Sequence, residues 1–381
     1  MTNENLQETK GSFKLIGKVT RIDKDGAFKE ETMDKPNNKN HGRLYRSIRF
    51  GTKTSPTNEI TVGSFDYEPK EVFLWHSDKA KEEREKGGKY KGLRVPFGQW
   101  EQQKEILKEQ GHSVLQSRVG LTYGEDGKLQ TEGLPRFVAS AEIYEELNNG
   151  DSVVVEGTLR YSRYKNNQDK WVEQTNYTIE KLFKIKDVDF EAEDFEEVTY
   201  FEQEMVFVGA DIDKKEGKAY ITGRVIDFMK NYNDTQFIVD FTDGEGGYDA
   251  PMVKLAEAFA KKMKFGDVIN VFGDTLNRVI VSEVEDEEED EDDIFAQLGG
   301  KHKPKHAQSY TARTYVTEMQ IHGVDSWDKG VYTEEDFEKD ELIEEDNKLN
   351  EELGGKKKPN NKSPFDSDED AGIIGEDDLP F

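Results

Sequence analysis

Apolar and polar positions alternate, with β-branched and aromatic residues on the apolar beat, in five stretches of the first half: Phe13 to Ile22, Leu44 to Thr54, Ile60 to Trp75, Ser152 to Tyr164 and Trp171 to Ile185. This period of two predicts strands with one buried face. Between the third and fourth, Phe137 to Leu147 switches to helical spacing and runs into Asn149-Gly150, a C-terminal cap signal. A further helical piece is predicted around Trp100 to Gln110, inside a long charged insertion from about Ser77 to Gly133.

Five strands with a helix between the third and fourth is the element order of an OB-fold, the small Greek-key barrel that binds single strands on its open face. The order recurs downstream. Gly17-Lys18-Val19-Thr20-Arg21-Ile22 is echoed by Gly223-Arg224-Val225-Ile226-Asp227-Phe228, and Tyr177 to Leu182 by Tyr315 to Gln320. Ala141 to Thr158 is echoed by Glu257 to Asp274, each a helix, a Gly-Asp turn and an apolar strand. The predicted fold class is all-β with short helices: tandem OB-fold barrels plus a disordered acidic C-terminal tail. A flexible N-terminus (1–10) precedes the first barrel, 11–186, which carries the insertion 77–133. An acidic linker, 187–202, leads to the second barrel, 203–325, with an acidic loop at 281–309. The tail is 326–381, and Thr333 caps a Glu-rich segment that reads as a short amphipathic helix containing Phe337.

Charge sharpens this division. The formal net charge is -28, yet residues 1–186 sum to +3 and the remainder to -31. A near-neutral binding module with an acidic appendage is implied. From Glu283 to Asp293 only Val284 is not acidic. A loop between the fourth and fifth strands of an OB-fold reaches over the bound strand, so this one repels a phosphate backbone. The second barrel is therefore expected to bind DNA weakly or not at all and to serve protein contacts.

With no cysteine, disulfides and thiolate metal sites are excluded, and the six His show no pairing at ligand spacing. Neither a metal nor a cofactor is expected. Met1 to Lys10 is polar, and no stretch approaches the ~20 apolar residues of a membrane span. A soluble, cytoplasmic protein is expected, in the host cytoplasm if phage-encoded. No Walker loop, GxSxG elbow, HExxH or dinucleotide fingerprint occurs, which predicts a non-enzyme.

Binding a single strand without sequence preference needs cations for phosphates and aromatic faces for bases, each stacked base contributing about 1–3 kcal/mol. Two places offer both. In the second predicted strand, alternation puts Arg43, Tyr45, Ser47 and Arg49 on one face, followed by Lys53, with Leu44, Arg46, Ile48 and Phe50 on the other. The hairpin of the fourth and fifth strands brings Arg160, Arg163, Tyr164 and Lys165 opposite Lys170 and Trp171 across Asn166 to Asp169. Arg94, Phe97, Trp100 and Trp75 carry less weight, and Phe50, Phe73 and Trp75 suit packing.

The chain finishes in Glu376-Asp377-Asp378-Leu379-Pro380-Phe381. Pro380 holds an extended form and presents Phe381 with an anionic rim, which suits a basic, apolar pocket on a partner. At this tip the chain resembles the single-stranded DNA-binding proteins of bacteria and their phages, and a phage-encoded version in particular, with Leu379 where that family often has Ile. The resemblance implies that Asp377, Asp378, Leu379, Pro380 and Phe381 dock replication or recombination proteins such as polymerase, helicase or primase. It implies protection of single-stranded DNA in replication, recombination and repair. Relatives assemble four barrels, so a homodimer is compatible with two in tandem, as is a monomer. The alternative is an acidic adaptor or DNA mimic acting on replication or host proteins. Such an adaptor has no need of Tyr164 and Trp171 beside Lys165 and Lys170.

Overall fold

The computed structural model describes residues 5–34, 39–165, 171–244, 246–283 and 311–337. The acidic run beyond Glu283, the tail beyond Phe337, its tip and Lys170 lie outside them.

The described chain is mostly β, with four short helices. Its strands are β1 (Gly11–Thr20), β2 (Phe28–Thr32), β3 (Leu44–Ser55), β4 (Asn58–Tyr67), β5 (Glu71–Trp75), β6 (Leu93–Pro96), β7 (Ser113–Val114) and β8 (Ser117–Tyr123). They continue as β9 (Leu129–Leu134), β10 (Ser152–Lys165), β11 (Trp171–Lys184), β12 (Val198–Asp213), β13 (Lys218–Ile226), β14 (Tyr232–Asp240), β15 (Val268–Glu283) and β16 (Thr311–Asp328). The helices are α1 (Ser77–Glu85), α2 (Phe97–Glu109), α3 (Arg136–Glu146) and α4 (Ala250–Lys262).

Strand pairing closes on itself twice. In the first half β1 pairs with β3, β3 with β4, β4 in parallel with β11, β11 with β10, and β10 again with β1. In the second half β12, β13, β14, β16 and β15 repeat that cycle, with β14 and β16 as the parallel pair. Alternate residues fill each ring: Phe13, Leu15, Ile48, Phe50, Ile60 and Val62 in the first, Phe201, Met205, Ile221, Phe237, Ile269 and Ile321 in the second. Each large apolar side chain so buried contributes about 1.5–3 kcal/mol of transfer free energy. Helix α3 adds Phe137, Ala139 and Ile143 to the first core, and α4 adds Ala256 and Phe259 to the second.

The backbone explains the Gly-Asp echo. Gly150 and Gly266 stand at φ 89° and 87°, the left-handed region that glycine enters without a Cβ penalty. Each following aspartate accepts from the amide three residues back, Asn148 N to Asp151 (2.8 Å) and Lys264 N to Asp267 (3.1 Å). The turns then exchange backbone hydrogen bonds with Val19 and Phe207 respectively, which makes β1 the counterpart of β12. The apparent echo of Gly17–Ile22 in Gly223–Phe228 therefore matches a first strand to a second one. The true counterpart, β12, begins at Val198, ahead of the expected start at 203.

Two further departures have local causes. Ile60 to Trp75 divides into β4 and β5, because Pro69 supplies no N–H to a ladder. The insertion supplies α1, α2, the strands β6 and β7, which flank β5 in a three-stranded sheet, and the hairpin β8-β9, which joins the large sheet beside β11. Thr333 does cap a turn, its hydroxyl donating to Asp336, but among the described residues that turn is a 3-10 helix, Glu334–Phe337.

The rings are in direct contact. Gly11 to Ile16 of β1 pairs antiparallel with Val198 to Gln203 of β12. The β3–β4 turn inserts Asn58, fully buried, whose Nδ2 donates to Glu197 (2.8 Å) and to Thr275 O (3.2 Å) while its Oδ1 accepts from Asn277 N (2.7 Å). The acidic segment after β11 lies against the first ring, with Asp187 3.0 Å from Lys18.

Candidate nucleic-acid interface

The outward face of β2, β3 and β4 gathers cations and aromatics. Residues directly opposite in an antiparallel pair share a face. The registers Glu31↔Tyr45↔Tyr67, Lys29↔Ser47↔Phe65, Arg49↔Gly63 and Lys53↔Glu59 assemble one patch. Arg43 lies over the Tyr67 ring at 4.7 Å and donates to Asn40 and to Glu68 O. Arg49 is half-buried, and burial, then the neighbouring Arg21 charge, pushes its guanidinium down to about 10. Arg21 joins from the end of β1 at φ 61°, 2.8 Å from Glu59 and donating to Thr61. A non-glycine residue in this region carries backbone strain, which clusters at binding sites. Arg21, Lys29, Arg43, Arg49 and Lys53 thus face Glu31 and Glu59 alone among the acids of these registers.

Tyr45 presents little open ring face. It is 7% exposed, and its hydroxyl donates to Glu31 at 2.7 Å. Burial and the Glu31 carboxylate raise its phenol pKa far above the ordinary value. The rings beside it, Phe65 and Tyr67, are half-buried and stand edge-on to each other at 5.1 Å. Sequence reasoning missed both, along with Arg21 and Lys29. The alternation Phe65-Asp66-Tyr67, paired against Tyr45, was the available signal. Arg46, on the opposite face, pairs with Glu30 and lies over Phe137 at 4.2 Å, which accounts for it structurally.

The other predicted residues stand elsewhere. Arg160 is exposed in a cleft between the rings beside Glu8, Glu202 and Glu204. In the β10–β11 hairpin Arg163 is opposite Glu173, Tyr164 opposite Val172 and Lys165 opposite Trp171. Lys165↔Trp171 is the last pair of this ladder, and 166–170 lie outside the described residues. In the insertion, Trp100 is buried and stacked on Phe97, while Arg94 is exposed near Glu71.

The equivalent face of the second ring differs in kind. The register Lys18↔Lys53 in the first ring corresponds to Val206↔Arg224 in the second, so Arg224 stands where Lys53 does. Asp234 holds Arg224 through two hydrogen bonds of 2.6 and 2.8 Å. Phe337 covers it at 4.5 Å, and Tyr232 and Phe265 lie against it as well. Leu6 and Tyr332 complete this apolar cap. Farther along the face, Lys218 is paired with Glu318, and Tyr220 donates to Glu216.

Comparison with known proteins adds the following. A model of the YorF family matches residues 94–355. Among solved structures, a deletion mutant of the single-stranded DNA-binding protein from Thermus aquaticus is similar at 10% identity and a TM-score of 0.33, over 84% of this chain and 95% of that one. No curated protein sequence matches the chain.

Proposed function

The chain belongs to the YorF family, and from its first ring we propose that it binds single-stranded DNA independently of sequence, through the outward face of β2, β3 and β4. The observation that carries this reading is the contrast between equivalent faces. One carries five cations around half-exposed aromatic rings, with Arg21 among them held by the Glu59 carboxylate at salt-bridge distance, whereas on the other the equivalent arginine is both neutralised and covered. The order 1-2-3-5-4-1, the single parallel pair and a helix before the fourth strand support reading both rings as OB-folds. Arg43, Arg49 and Lys53, joined by Arg21 and Lys29, would track phosphates, and Phe65 and Tyr67 would stack bases. Arg163, Tyr164, Lys165, Lys170 and Trp171 of the β10–β11 hairpin would add further cations and aromatic rings.

The protein acts without catalysis, protecting single strands during replication, recombination and repair. Its tip, Asp377 to Phe381, recruits replication proteins. These roles rest on the resemblance of the tip.

The test is titration of the full chain into fluorescent oligo-dT and a matched duplex at two salt concentrations. Salt-sensitive binding to the single strand with little affinity for duplex is expected. Arg43→Ala and Lys53→Ala should each weaken binding about 3- to 10-fold and lower the salt slope by about 1. No binding to oligo-dT, or equal binding to duplex, overturns the proposal and leaves the acidic adaptor.

A further inference from the structure

Strand β10 outruns its neighbour. Its pairing with β1 ends at Ser12↔Thr158, whereas its pairing with β11 continues to Lys165↔Trp171. From Leu159 onward, no strand among the described residues is hydrogen-bonded to the edge turned away from β11, although β14 comes near β10. The chain ahead of β1 has left for the second ring: Thr9 N donates to Ile226 O, and Glu204 N to Lys10 O. A cleft of about 920 Å³ opens there.

Its walls are built for something other than a phosphate backbone. Glu8, Glu202, Glu204 and Asp227 line it against only Lys10 and Arg160. Two buried atoms in the lining, Thr158 Oγ1 and Asn176 Oδ1, have no hydrogen-bond partner. At the rim, Phe228 and Met229 are 64% and 62% exposed. They ride on a fixed turn, in which Asp227 accepts from Met229 N (2.8 Å), Asn231 N (2.9 Å) and Asn231 Nδ2 (3.1 Å). A turn whose backbone is fixed in advance presents this apolar pair with little further backbone entropy to lose on binding.

We propose that this cleft docks an extended, basic peptide segment of a protein partner as an added strand on the open edge of β10, with an apolar side chain against Phe228. Main-chain hydrogen bonds to the edge give affinity, and the carboxylates and Phe228 select the sequence. The inference is independent of DNA binding by the first ring.

The probe is a short fluorescein-labelled peptide of alternating Lys and Val, titrated against the full chain. Saturable binding with a dissociation constant of about 10–100 µM is expected. Phe228→Ala, and separately Glu8→Lys with Glu202→Lys, should each weaken it about tenfold. These side chains are exposed, and an unchanged thermal-unfolding midpoint serves as the control for folding. On the unaltered protein, a peptide N-methylated at alternate residues should lose binding when its edge-facing amides are blocked. Overturning results are no saturation below about 1 mM, equal binding of a Glu–Val peptide, indifference to both N-methylation patterns, or stoichiometric displacement by oligo-dT, which would assign the cleft to the nucleic-acid path.

Discussion

Asp267 gives both carboxylate oxygens to structure: Oδ2 accepts from Lys264 N and Trp327 Nε1, and Oδ1 from Gly330 N. Burial alone raises its pKa, but these donors and Lys329 outweigh that and leave it below the ordinary value of 3.8. The folded carboxyl is therefore the stronger acid. Its stabilisation is complete above that ordinary value and is lost as pH falls through the lowered one. Asp267→Asn should cost about 1–3 kcal/mol at neutral pH and flatten the acid limb of Tm against pH, as thermal unfolding across pH would show. An unchanged acid limb would mean the carboxylate is dispensable. At this scale the sequence was legible where chemistry is local, as in the Gly-Asp turns. It was not legible at Tyr45, where alternation assigned the right face but could not reveal that Glu31 and two aromatic neighbours bury the ring.

Elements with a strong period were read closely, and those without one were missed. Helix α3 falls within a residue of the expected segment. Helix α1 buries only Ala80, and with no apolar stripe it left no trace in the pattern. The repeat was legible through its helix, turn and fourth strand, because glycine and aspartate must recur there. The first strands β1 and β12 share a place in the ring but little sequence, so the apparent echo falls between β1 and β13 instead. The equivalent glycines make a graded test. A Cβ on Gly150 meets nothing within 4 Å, whereas one on Gly266 falls 1.8 Å from Tyr332 O. Gly150→Ala should cost about 1 kcal/mol from positive φ alone, and Gly266→Ala clearly more, measured by urea unfolding. Phe337→Ala should cost about 3–5 kcal/mol and leave oligo-dT affinity unchanged, since the cap lies on the second ring. A parallel loss of affinity would tie that cap to the DNA face.

For the whole molecule, the β1–β12 ladder, the buried Asn58 and one continuous apolar core join the two rings. The internal repeat implied two units and the charge pattern an acidic link between them, but no local pattern encodes a strand edge shared by residues so far apart in sequence. Calorimetry of the full chain should give one cooperative transition, and two resolved transitions would contradict the shared core. Asn58→Ala should lower its midpoint by leaving Asn277 N and Glu197 without this partner. The N-terminal strand also ties completion of the fold to the order of synthesis. Gln7 N reaches the hydroxyl of Tyr332, and Thr9 reaches Ile226. When the first ring emerges from the ribosome, the Gly11–Ile16 edge of β1 has no partner until β12 follows. The first half therefore passes through a nascent state with a bare, sticky edge, in which another chain's β1 could pair before its own β12 arrives. Slowing translation just ahead of β12 should lengthen that window and raise the aggregated fraction, and speeding it should do the reverse.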